Sequence, residues 1–224
     1  MSFTVSIEKK EEMIPLEWKE LFHLSLQKVE DIVEKVQQDP VIYPSPENIF
    51  KAFDSCPPDG VKVVIVGQDC YHRKGQATGL AFAVPADSKI PPSLRNIQKE
   101  LKDDLGVEFS DQTLQQWSDQ GVLLLNSALT VREGEPGSHL KQWEPFTDDV
   151  IKILSQTRKR LVFLFWGKYA QAKQPLIDPK GRHLVLTASH PSPLAANRGG
   201  WFGRQHFSRT NAFLRKNRKR PIEW

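Results

Sequence analysis

Apolar positions along the chain fall into four short, nearly continuous runs, at 61–66, 122–125, 161–166 and 184–187. Runs this short, rich in branched and aromatic side chains, read as buried strands. Between them the apolar positions change to helical spacing. Leu94, Ile97, Leu101 and Leu105 share one face, and Pro145 is predicted to open a helix carrying Val150, Ile153 and Leu154. Ahead of the first strand, a helix is predicted over about 16–38, with Leu21, Val29, Ile32, Val33 and Val36 on its apolar side. Ser45-Pro46 has the pattern of a cap and first-turn proline opening a helix through Ile49 and Phe53. A last helix is predicted over 206–217. Strands alternating with helices predict an α/β fold, one domain over 16–224 with a central four-stranded parallel sheet flanked by helices on both faces. Residues 1–15 read as a short flexible arm, too polar for a secretory signal.

Each predicted strand ends in polar chemistry. The first leads into Gly67-Gln68-Asp69-Cys70-Tyr71-His72, the second into Asn126-Ser127, the third into Gly167-Lys168 and the fourth into Ser189-His190-Pro191-Ser192-Pro193-Leu194. In parallel strands all four ends lie on one edge, where open α/β sheets bind ligands. Asp69, Asn126 and His190 are therefore expected to converge. A purely structural core does not predict polar groups at all four ends.

Charge sharpens this picture. The net charge is only +4, but 179–222 holds ten of the 31 Lys and Arg residues and no Asp or Glu. That is the footprint of a phosphate-binding face; a solvated basic tail has the same composition. With two cysteines and no apolar run near the ~20 residues of a membrane span, a reducing intracellular compartment and no membrane are expected. The histidine spacings suggest no metal site.

These motifs resemble those of the family 1 uracil-DNA glycosylases. The family's water-activating loop, Gly-Gln-Asp-Pro-Tyr-His, is similar to 67–72, and its His-Pro-Ser-Pro-Leu motif matches 190–194. Gly79-Leu80-Ala81-Phe82, Pro91-Pro92-Ser93, Leu123-Leu124-Leu125-Asn126 and His206-Phe207-Ser208 fit in order, so the likeness runs from about Leu16 to Trp224. It implies an enzyme that flips uracil out of DNA and hydrolyses its N-glycosidic bond, with no cofactor.

The resemblance also implies roles. Asp69 stabilises the cationic sugar and orients water, supported by His72. His190, neutral, donates to uracil O2, with the backbone at Gln68 and Asp69 sharing that task. Asn126 reads uracil N3–H and O4 with one side-chain amide. Tyr71 excludes the thymine methyl, and Phe82 stacks on the base. Leu194 fills the vacated stack. Ser93, Gly167, Lys168, Ser192 and Arg198 grip the DNA backbone. On residue type alone, Asn126 also reads as a strand-end cap, Phe82 as core, His72 as a structural histidine and Leu194 as loop packing. The implied partners are single- or double-stranded uracil-containing DNA, and a proteinaceous inhibitor of the family; a monomer in cytoplasm or nucleus is expected.

The chain departs from the family pattern at Cys70, which replaces proline, at Thr78, at Lys168 and in the longer 198–203 segment. A small buried filler is the expected role of Cys70, against a reactive thiol. A non-catalytic DNA-binding accessory on the same fold, and an Asp/His hydrolase of small molecules, are the competing classes.

Overall fold

A computed structural model describes residues 14–21, 26–109 and 111–224. Strands β2 (Val63–Gly67), β3 (Val122–Asn126), β5 (Val162–Trp166) and β6 (Leu184–Ala188) form one parallel sheet in the order β3-β2-β5-β6. A two-residue antiparallel ribbon, β1 (Ile42–Tyr43) with β4 (Val131–Arg132), stands apart. The helices are α1 (Leu16–Leu21), α2 (Leu26–Val36), α3 (Lys51–Asp54), α4 (Pro92–Leu105), α5 (Gln115–Asp119), α6 (Leu140–Thr157), α7 (Lys168–Gln171), α8 (Pro193–Ala196) and α9 (His206–Lys216).

Every residue of β2, β3 and β5 is buried, so helices and loops cover both faces of the sheet. Only β6, at the edge, exposes part of its length. The chain steps from β2 to β3 on one side and later returns to β5 and β6 on the other. This reversal opens a crevice at the carboxyl ends of β2 and its neighbours. An aromatic cluster anchors the far end of the chain. Trp224 lies edge-on to Trp117 at 5.0 Å and meets Phe207 at 5.0 Å, and Asn211 exchanges hydrogen bonds of 2.9 and 2.8 Å with the backbone of Ile222.

The four strands fall where the apolar runs predict them, within a residue or two. The helices differ in three places. The expected helix over 16–38 is two helices, with 22–25 outside the described residues, as are 1–13 of the expected arm. Ser45-Pro46 opens a 3₁₀ turn (Pro46–Asn48), not an α-helix; the Ser45 hydroxyl engages the Asn48 and Glu47 side chains and leaves the backbone uncapped. Pro145 lies inside α6, which begins five residues earlier. Tertiary burial adds that extra turn: Trp143 is fully buried and donates its indole N–H to Thr130 Oγ1 at 2.7 Å, fixing the helix start ahead of the proline. Among the described residues no helix is long and apolar enough to cross a membrane.

Candidate active site

Gly67 and Asn126 stand side by side in the β2–β3 register, and the close approach needs the glycine. A Cβ at position 67 would sit 2.2 Å from Asn126 Oδ1. The chain then turns outward through 68–72. Together with Thr78 to Leu80, Phe82, Ser93, Asn126 and His190, this turn lines a cavity of about 150 Å³ at the carboxyl edge of the sheet. The strand-end groups of β2, β3 and β6 thus meet in one place, as the parallel pattern predicts.

Asp69 enters the cavity on a half-buried carboxylate. Its Oδ2 accepts the Gly137 N–H at 2.6 Å. Burial pushes its pKa above the usual 3.8, against the opposing pull of that hydrogen bond and of His72. His72 lines the cavity beside it, with Nδ1 buried and not hydrogen-bonded to any described group.

His190 is oriented by its own loop. Its Nδ1 accepts the Ser192 N–H at 3.0 Å, so the neutral ring carries its proton on Nε2. Burial lowers its pKa below 6.5, which favours that neutral form. Gly167 packs against it: a Cβ there would meet His190 Cβ at 3.0 Å. The His190 ring is 6.0 Å from the Phe82 ring, which in turn lies 5.6 Å from Trp166. Phe82 has φ of +67°, a conformation rarely adopted by a bulky residue. The Tyr71 hydroxyl donates to the Phe82 carbonyl at 3.4 Å, and burial raises its pKa, keeping it protonated.

The remaining candidates lie along the same carboxyl edge of the sheet, and of them Gln68 and Ser93 line the cavity. Gln68 is exposed at the rim, and Ser93 is half-buried at the first turn of α4. Lys168 is exposed at the start of α7, just after Gly167. Ser192 precedes the short helix α8, on which Leu194 is 80% exposed, and Arg198 is exposed beyond it. Asn96, which residue type does not single out, donates to the Pro191 carbonyl at 2.7 Å and ties that loop to α4. Glu100, one turn on, is buried and accepts the N–H groups of Gly203, Arg204 and Gln205 at 2.7, 2.9 and 3.1 Å. Both residues, and Gly137, escape a reading of strand-end motifs because their partners are far away in sequence. A buried glutamate on an otherwise apolar helix face is the one signal they leave.

One expectation is corrected. The basic run 215–220 does not join the cavity face. Lys62, which precedes β2, donates to the Arg220 carbonyl at 3.2 Å, and Lys219 donates to the carbonyl of Lys159, which precedes β5, at 3.0 Å. The run therefore lies at the amino edge of the sheet. The 11-residue helix α9 carries the chain there, about 16 Å along its axis.

Residues 53–215 match the sequence profile of the Uracil DNA glycosylase superfamily. A uracil-DNA glycosylase of Porphyromonas gingivalis is 50% identical over 223 residues, covering 96% of this chain and all of that protein. One from Acinetobacter baylyi is 52% identical over 195 residues, 86% of this chain and 82% of the relative. Among solved structures, the mimivirus uracil-DNA glycosylase is similar with a TM-score of 0.87 at 29% identity, over 96% of this chain and 88% of that one. A variant of the mimivirus enzyme in complex with UGI is similar at a TM-score of 0.89, over 98% of this chain and 91% of that one.

Proposed function

The chain belongs to the uracil-DNA glycosylase superfamily, and from that premise we propose how its residues perform the excision. It is a hydrolytic DNA glycosylase of uracil-excision repair. Residues 16–224 act as one catalytic domain. Uracil leaves the duplex stack and enters the 150 Å³ cavity. Phe82 stacks on it, and Tyr71 closes the side where thymine carries a methyl. Asn126 accepts from N3–H and donates to O4; cytosine presents the opposite pattern and would leave buried groups unpaired.

Cleavage develops positive charge on the sugar and negative charge on the departing base. The Asp69 carboxylate stabilises the first and orients the attacking water, with His72 beside it. The Nε2–H of His190 donates to uracil O2, where the second accumulates, helped by the backbone N–H groups of Gln68 and Asp69. Leu194 fills the gap in the stack. Ser93, Gly167, Lys168, Ser192 and Arg198 hold the flanking phosphates. Excision leaves free uracil and an abasic site. The substrate is single- or double-stranded DNA containing uracil, met by a monomer inside the cell. A proteinaceous inhibitor belongs to the reading as well, since a variant of the mimivirus enzyme is solved in complex with UGI.

The observation that supports this reading best is the meeting of Asp69, Asn126 and His190, from three strand ends, in one cavity. A bare DNA-binding module needs no such trio. The test is Asp69→Asn. Uracil release is expected to fall by about a thousandfold or more while duplex binding persists. Release at the wild-type rate would overturn the role given to Asp69.

A further inference from the structure

Cys70 stands in the cavity wall and takes no part in the chemistry set out above. It is 6% exposed, so water does not compete for its contacts. Its Sγ lies 3.3 Å from the Leu129 carbonyl oxygen, 3.6 Å from that of Ala128 and 3.5 Å from Asn126 Nδ2. Burial pushes the thiol pKa up to about 12, so at neutral pH the sulfur keeps its proton.

Counting donors fixes the arrangement. Two of the three neighbours are carbonyl oxygens, which only accept, so the S–H points toward them. The sulfur then offers Asn126 only a lone pair. A lone pair meets an N–H and repels a carbonyl oxygen, so the Nδ2 end of the amide faces Cys70. The Oδ1 end lies over Gly67, in space that a Cβ would fill. This orientation presents one Nδ2 hydrogen and Oδ1 to a bound base, the pair that matches O4 and N3–H of uracil. The flipped amide would present the pair that matches cytosine.

We infer that Cys70 is a positioning residue for specificity: its thiol locks the Asn126 amide in the orientation that reads uracil. The inference rests on Asn126 being the base-reading residue. The proline of the resembling motif has no side-chain hydrogen-bonding group, so the lock is a property of the cysteine in this chain.

The experiment compares the full-length wild type with Cys70→Ala and Cys70→Ser. The readouts are kcat and KM for uracil release from a single-stranded oligonucleotide, and cytosine release from a matched one at excess enzyme. Losing the hydrogen bond in Cys70→Ala is expected to lower uracil kcat/KM about three- to tenfold. Cytosine release should rise relative to uracil release. Serine keeps one donor and one acceptor at the same place and is expected to restore the wild-type values to within about twofold. If the alanine variant does not fold, Cys70→Val fills the space without hydrogen bonding and takes its place. Unchanged uracil kcat/KM in the alanine variant overturns the inference. Equal impairment of the alanine and serine variants also overturns it, because packing would then be the cause. A wild type that releases no uracil would instead refute the functional reading itself.

Discussion

At the residue scale the cavity sets two titrating groups in opposite directions. The role proposed for Asp69 needs a carboxylate, and burial raises its pKa. The role proposed for His190 needs a neutral donor, and burial lowers its pKa. Acid therefore harms both: it protonates Asp69 at a higher pH than an exposed aspartate, and His190 at a lower pH than an exposed histidine. The expected pH profile of kcat/KM is flat near neutrality and falls on the acid side. His190→Gln keeps an N–H donor and does not titrate there, so that variant is expected to be slower yet to retain the acid limb of Asp69. A profile that loses its acid limb in His190→Gln would assign the limb to the histidine instead.

At the scale of elements, two short segments carry testable consequences. Helix α8 holds Leu194 out in solvent, tied down through the Pro191–Asn96 hydrogen bond. A wedge acts only where there is a stack to fill. Leu194→Ala is therefore expected to lower kcat/KM on duplex DNA by about tenfold or more and on single strands by less. Equal losses on both substrates would remove the wedge role. Helix α9 begins at His206, which is 3% exposed. Its Nδ1 accepts the Trp166 indole N–H at 2.9 Å, and its other nitrogen bonds the Thr187 carbonyl. Burial, first of all, lowers its pKa to about 4 from the ordinary 6.5. Between those values the unfolded chain binds a proton that the folded chain does not, so stability falls as pH drops from 6.5 toward 4. The full effect is about 3 kcal/mol. Urea unfolding at pH 7 and near pH 4.5 is expected to show most of this loss in the wild type and less of it in His206→Asn.

At the scale of the whole molecule, the parallel sheet divides the basic charge between two edges. Arg198 lies beyond α8 on the cavity side, while 215–220 meets Lys62 and Lys159 at the other edge. Charges separated by more than a Debye length of ~10 Å act almost independently at moderate salt. Arg198→Ala is expected to weaken duplex binding and to reduce the slope of log K against log salt by about one. Neutralising Arg215, Lys216 and Arg218 together is expected to leave uracil excision and that slope nearly unchanged. A large change in slope from the distal triple substitution would show that DNA wraps to the amino edge.

Local pattern was enough for the strands, because a strand buried on both faces writes a continuous apolar run, as in 122–125 and 161–166. It was enough for the convergence of Asp69, Asn126 and His190 too, because each sits within a few residues of a strand end, and parallel strands bring such ends to one edge. Tertiary structure alone decided what depends on partners distant in the chain. It added a helical turn before Pro145 by burying Trp143, and it sent the basic run 215–220 to the edge away from the cavity. It also placed the Gly137 N–H on Asp69, Glu100 under the backbone of 203–205, and the Cys70 sulfur against the Asn126 amide. Periodicity records which residues face the core; it does not record which distant groups meet there, because hydrogen bonding and packing across elements are satisfied only once the sheet has set their relative positions.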